Sequence, residues 1–320
     1  MKFKIFLGCA ALCCALTASA QIGMDLMLNR AVFMQYEPVL ACVTLRNDTG
    51  RALVFGDDPR LQGFILFRIT DSNGKIVPKR ADAEIDTKGF IIGPGQTRSL
   101  VIPVSRYYNL DRIGRYRIYA YISHSMLSSD YKTQDMDFSV ETGAAVWKRT
   151  VGVPDLGGDS GVDTAEERTY VVRSLQDGSE KHLYLVVENE THVFGVMRIG
   201  KMFGSEPLKC DIDMLSRIHI LIPISSRVFH YLAFSLNGGN IADSYYRTTD
   251  TIPSLLRDPK TGRVFVMGGV PARAGVDFKL PTSDKRSAME ILEADVRANP
   301  PAPPKAGGLV GLDNSAAGKP

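Results

Sequence analysis

From about residue 22 to residue 280 the sequence is a succession of short runs of Val, Ile, Leu, Phe and Tyr, each closed by a turn signal. No other feature restricts the fold as strongly. Asn47-Asp48-Thr49-Gly50, Asp71-Ser72-Asn73-Gly74, Gly93-Pro94-Gly95 and Asn237-Gly238-Gly239 are the clearest of these signals. Gly supplies positive φ, and Asn, Asp and Thr bend the backbone through their own side-chain hydrogen bonds. The runs between them are of strand length and read as strands. The expected class is therefore all-β, and a chain of 320 residues is long enough for two domains.

The expected division follows composition. Residues 1–20 read as a signal peptide, 21–142 as a β-sandwich, 143–167 as a linker rich in Gly and small residues, and 168–280 as a second β domain. Residues 281–320 read as a short helix, Ser287 to Ala298, with Met289, Leu292 and Val296 along one side, followed by a disordered tail rich in Pro, Gly and Ala.

In the first domain strands are expected at Asp25 to Leu28, Val39 to Arg46, Ala52 to Phe55, Phe64 to Thr70, Lys75 to Val77, Ser99 to Val104, Gly114 to Ser123 and Met136 to Glu141. The most specific local pattern is Asp111-Arg112-Ile113-Gly114-Arg115-Tyr116. It has the form of a tyrosine corner, in which a hydroxyl at the start of a strand caps backbone left unpaired by the bend. Together with Tyr36-Glu37-Pro38-Val39, Leu45 to Gly50 and Gly93 to Thr97, this resembles the immunoglobulin-like modules of secreted bacterial proteins, including macroglobulin-type and proteinase-inhibitor-type domains. The resemblance implies a sandwich of seven or eight strands over about 120 residues. It departs from antibody domains in that Cys42 has no partner, the matching position being Ile118. Such sandwiches carry many unrelated roles, so the resemblance implies no activity.

The second domain contains an internal repeat. Leu183 to Val187 with Val193-Phe194 align with Ile218 to Ile222 and Val228-Phe229, and Arg217 to Leu221 align with Arg263 to Met267. Units of this length are similar to the blades of sialidase-like β-propellers. Two full copies and a fraction are too few to close a ring, so an open meander or a sandwich with blade-like repeats is expected, with unpaired edge strands available for self-association.

The leader has Lys2 and Lys4 before the apolar run Ile5 to Leu16, and small residues at Ala18-Ser19-Ala20. The run is too short for a stable membrane anchor, and the surroundings of Cys9 and Cys13 fit a lipoprotein signal poorly. Export to the periplasm or beyond is expected. Removing the leader takes two of the 38 basic residues and no acids, leaving 36 against 35 acidic, a balance without the basic excess of a nucleic-acid binder. Of the five cysteines only Cys42 and Cys210 then remain, read as two free thiols rather than a bridge.

No catalytic, cofactor or metal residues are assigned. Gly158-Asp159-Ser160-Gly161 imitates a serine-protease motif but sits in the expected linker without a suitable histidine motif before it. His124, His182, His192, His219 and His230 show no ligand spacing, and Asp57-Asp58 offers too few oxygens for calcium. Asn47 and Asn189 match the glycosylation pattern by turn chemistry alone.

The one candidate surface is the strand after the corner. Alternation sends Tyr116, Ile118, Ala120 and Ile122 inward and leaves Arg115, Arg117, Tyr119 and Tyr121 on the other face, with Arg106, Tyr107 and Tyr108 as an extension. Arg and Tyr are enriched where proteins bind partners, and they are also ordinary strand residues. The expected function is a non-enzymatic exported binding or structural module engaging a protein or a surface polymer. A glycan-directed hydrolase or accessory protein and a proteinase inhibitor are the alternatives.

Overall fold

The structure, a computed structural model, describes residues 21–56, 63–80, 84–87, 89–153, 166–204 and 207–279. Its elements in the first half are β1 (Ile22–Leu28), β2 (Val32–Met34), β3 (Leu40–Asn47), β4 (Leu53–Val54), β5 (Gly63–Asp71), β6 (Ile91–Ile92), β7 (Thr97–Pro103), the single turn α1 (Val104–Tyr107), β8 (Gly114–His124), β9 (Tyr131–Lys132) and β10 (Met136–Glu141). In the second half they are β11 (Ala144–Gly152), β12 (Glu167–Asp177), β13 (Glu180–Glu188), β14 (Val193–Lys201), β15 (Lys209–Ile212), β16 (Ile218–Pro223), β17 (Val228–Phe234), β18 (Asn240–Arg247), β19 (Ser254–Arg257), β20 (Val264–Met267) and β21 (Val270–Ala272). The protein is all-β, as the turn-bounded runs predict.

In the first half a three-stranded sheet, β1-β3-β7, faces a larger one, β2-β10-β8-β5, with β9 paired to β8. Every pair in them is antiparallel except β2 with β10. Ala41, Val43 and Leu45 of β3 and Ile65, Phe67 and Ile69 of β5 share one core with Ile118, Ala120 and Ile122 of β8, the inward set expected from alternation. Tyr116 stacks on Phe138 at 5.3 Å between ring centroids, and its hydroxyl donates to the Arg112 carbonyl at 2.6 Å, the bond expected of a tyrosine corner.

Two local expectations need correction. Lys75 to Val77 forms only an isolated bridge, Thr70 to Ile76, because the turn closing at Gly74 leaves too short a return strand. Val104 starts α1 instead of ending β7. The short pieces β2, β6 and β9 carry too few residues to show a period.

The second half holds two antiparallel sheets, β11-β12-β13-β14 and β15-β16-β17-β18-β21, and the hairpin β19-β20. The two sheets share a core: Tyr170, Val172, Leu183, Leu185 and Val187 from the first meet Ile218, Ile220, Ile222, Leu232 and Phe234 from the second. The repeats map β13-β14 onto β16-β17 and β15-β16 onto β19-β20. They are laid out as a stack of layers, with the hairpin against β15 and β16 on the far side of the second sheet. Arg257 of the hairpin pairs there with Asp211, and the Lys209 ammonium lies 3.3 Å from the Ser254 hydroxyl.

The first part of the expected linker is strand, and residues 154–165 lie outside the described residues. β11 pairs along its whole length with β12, so only Thr142 and Gly143 separate the sandwich from the next sheet. Its mixed sequence, Ala-Ala-Val-Trp-Lys-Arg-Thr-Val-Gly, hides a strand because most of its side chains are exposed at a sheet edge and carry no apolar period. Gly143 has φ +64, and a Cβ there would come within 2.6 Å of the Ser174 carbonyl oxygen. The signal peptide, Gly158 to Gly161, Asp57-Asp58 and the Ser287 to Ala298 helix lie outside the described residues. Among the described residues no helix is long and apolar enough to cross a membrane. Cys42 and Cys210 are both free.

Asn47 ties the turn after β3 to its surroundings. Its amide nitrogen donates to the carbonyls of Arg51, Ile92 and Gly93, and its oxygen accepts from the Thr49 amide and hydroxyl. The side chain is fully buried, which leaves no room for a glycan on it in the folded protein. Asn47→Ala strands these groups away from water and is expected to lower stability by about 2–4 kcal/mol. Chemical denaturation of the variant against the parent measures it, and an unchanged midpoint would contradict this role.

Candidate functional site

Strand β8 lies between β5 and β10, with β9 beside its second half; Arg117 and Tyr121 have cross-strand neighbours on both sides, Arg115 only on β10 and Tyr119 only on β5. Arg115 and Arg117 are exposed, and Tyr119 and Tyr121 are half-exposed. Across the strands Arg68 stands opposite Tyr119, Leu66 opposite Tyr121, and Phe64 opposite Ser123. Phe64 is 51% exposed, which extends the aromatic surface to the end of β5. The rings of Tyr119 and Tyr121 lie 6.3 Å apart, and the Lys132 ammonium sits 5.2 Å from the Tyr119 ring centre.

Arg117 donates to Asp137 at 2.9 Å on β10. That bond raises the arginine pKa and lowers the carboxyl below its usual range. Both groups are exposed, so the pair fixes side-chain direction more than stability. The result is a cationic and aromatic surface on which Arg117 is directed by Asp137, and Tyr119 lies between the Tyr121 ring and the Lys132 ammonium.

The expected extension of this face fails for two of its three residues. Arg106 is exposed, but Tyr107 and Tyr108 are buried. The Tyr108 hydroxyl donates to the Phe67 carbonyl at 2.9 Å and accepts from the Phe67 amide at 3.1 Å. The single helical turn α1 carries Tyr107 inward, and Tyr108 follows it into the core.

The five histidines occupy separate places. His124 bonds to the Val54 carbonyl at 3.0 Å and accepts from the Met126 amide, and His192 lies in an exposed turn. His230 pairs with Asp243 at 2.7 Å and stacks on Tyr245 at 4.4 Å. Among the described residues no three His, Cys, Asp or Glu side chains are placed to share a metal ion.

His219 belongs to a cluster that the sequence reading missed. Its Nδ1 lies 2.7 Å from the Tyr231 hydroxyl and its Nε2 lies 3.3 Å from the Asp213 carboxylate. The imidazole tautomer decides which of His219 and the phenol donates in this contact. Asp213 is also held by the Arg217 guanidinium, Nε donating at 2.6 Å, and by the amides of Leu215 and Arg217, which keep its carboxyl ionised despite burial. Burial raises the Tyr231 pKa, so the phenol keeps its proton. The Asp-His-Tyr line is a triad in outline, with its carboxylate already occupied by a turn-closing arginine. The cue was the spacing of Asp213, Arg217 and His219 around one turn.

A second buried polar group lies where the sandwich meets the next sheet. Arg30 donates to Glu37 and, at 2.8 Å, to the Tyr184 hydroxyl across the junction. Glu37 accepts from the Met34 amide, and Met34 packs with Leu175 and Tyr184. Beside them Arg198 donates to His182 Nδ1 at 2.9 Å. The best-formed hollows among the described residues are small, about 10 Å³ beside Leu183 and Ile222 and about 30 Å³ at this junction. No protein-family model matches the chain, and no curated protein matches it.

His182 gives the junction a pH dependence. Burial, with Arg198 nearby, lowers its pKa to about 4 from the usual 6.5. A depressed histidine binds its proton more readily when unfolded, so stability is full above about pH 6.5 and falls as pH drops toward 4. The loss from this group is at most about 3 kcal/mol. His182→Gln is expected to flatten the melting temperature between pH 6.5 and 4.5 relative to the parent. Parallel curves for the two proteins would exclude His182 as a source.

Proposed function

We propose that this protein is an exported, non-enzymatic binding module whose first half is an immunoglobulin-like sandwich, and that it engages another protein or a surface polymer through the outward face of β8. The observation that carries this reading is the face itself: Arg115, Arg117, Tyr119 and Tyr121 in line on a central strand, flanked by Arg68, Phe64 and Lys132. Side chains held by cross-strand neighbours lose less freedom on binding, and Arg and Tyr bury large areas while keeping hydrogen-bonding capacity. A flat sheet suits an extended partner rather than a small ligand, which takes a concave pocket.

The immunoglobulin-like assignment draws on strand order. Sheets β1-β3-β7 and β2-β10-β8-β5, with a tyrosine corner leading into β8, correspond to the two sheets of that sandwich. The leader sequence supports export. Periplasmic and extracellular placement are equally compatible with it.

The full-length protein, immobilised, is expected to capture a partner from the envelope or secreted fraction of its own source. The triple variant Arg117→Ala, Tyr119→Ala, Tyr121→Ala is expected to lose that capture by about tenfold or more. Its melting temperature should stay within a few degrees of the parent, since these side chains lie outside the core. Equal capture by a folded triple variant would remove the face from consideration.

A further inference from the structure

The contact between the sandwich and the second half has a small apolar part and a buried polar centre. The apolar part is Met34 with Leu175 and Tyr184, flanked by Val32 and Val196. Register places Val32 opposite Ser139 and Met34 opposite Glu141, on the outward side of the sheet that also carries Arg115. The second half therefore rests on one margin of that outward face. Only Thr142 and Gly143 separate β10 from β11, and Gly143 has φ +64, so these two residues form the hinge between the halves.

His182 stands in the polar centre and is 2% exposed. From β14 the Arg198 guanidinium donates to its Nδ1 at 2.9 Å, and the Lys201 ammonium holds Glu180. Glu180, on β13 itself, lies 3.4 Å from Nε2. From the sandwich Arg30 adds a positive charge nearby, fixed by Glu37 and by the Tyr184 hydroxyl. β12 contributes Leu175, which is opposite His182 and uncharged. A guanidinium only donates, so Nδ1 is engaged as an acceptor and the site takes a neutral imidazole. A proton added at Nδ1 meets the Arg198 N–H groups head on, with Arg30 and Lys201 close behind.

We propose that this junction is an acid-released latch: protonation of His182 parts the sandwich from the second half about Thr142 and Gly143, uncovering Val32 and Met34 while both cores stay folded. The cores do not depend on the latch, since Tyr116 and Phe138 belong to one and Tyr170 and Leu185 to the other. In the closed form burial first, and Arg198 next, hold the imidazole down to about 4, and contact with water returns it toward the usual 6.5. The open form thus binds the proton more readily. The closed form is fully favoured above about pH 6.5 and loses that advantage as pH falls toward 4. On these values the open population rises about twentyfold between pH 7 and pH 5. The inference does not rest on the binding role of β8, although the margin it uncovers adjoins that face.

Oxidation of Met34 by hydrogen peroxide, read by mass spectrometry on the full-length protein, tests it. Met34 is 2% exposed and Met214 67%, so Met214 serves as the internal reference. The ratio of Met34 to Met214 oxidation is expected to rise about twentyfold from pH 7 to pH 5, with the amides of β8 and β13 still protected from hydrogen exchange. His182→Gln keeps an acceptor for Arg198 and a donor for Glu180 but gains no charge, and it should hold the ratio near its pH 7 value throughout. A ratio that stays constant in the parent overturns the proposal, as does one that rises as steeply in His182→Gln. A rise that comes only with loss of protection in β8 and β13 is unfolding rather than opening and overturns it equally.

Discussion

Two strands of the second half are buried on both faces, and the layered build follows from them. Leu183 to Val187 of β13 and Ile218 to Pro223 of β16 are buried at every position. A strand in a two-layer sandwich needs only alternate apolar residues, because one of its faces meets water. A continuous apolar run requires cover above and below. The first sheet accordingly has the sandwich on one side and the second sheet on the other, and the second sheet in turn has the hairpin against it.

The junction between the halves answers a different need. Apolar contact between Met34, Leu175 and Tyr184 excludes water but permits sliding. Arg30, Glu37 and the Tyr184 hydroxyl restrict it, because a buried charge that loses its partner is costly while the net gain from forming the pair is modest. Gly143 allows the sandwich to sit this close, since any side chain there would strike Ser174 or Met34. With two residues between β10 and β11, the connection has little slack, so the polar contacts select one arrangement from a small set.

Turn chemistry and alternation were legible in the sequence because they are local. The corner around Tyr116 and the inward set of β8 follow from residue type and spacing. What escaped depends on partners distant in the chain. β11 is recognisable only from its pairing with β12, and its Gly-bounded, mixed composition imitates a linker. Tyr108 looks like a surface tyrosine until Phe67, 41 residues away, supplies its hydrogen bonds. The grouping of Asp213, His219 and Tyr231 likewise needs three elements brought together, and no spacing rule links the tyrosine to the other two. The outward face of β8 was legible as a row of residues, but its flanking Arg68, Phe64 and Lys132 required the register.

The two exposed faces differ in chemistry, and the difference bears on how each is used. On β8 two guanidinium groups are followed by two phenol rings, and both kinds of side chain present a polar end to water, so the surface is stable bare. The outer side of β19-β20 offers aliphatic and aromatic groups with no polar interruption except Ser254. Exposing it has a continuing cost and invites association with any other apolar surface.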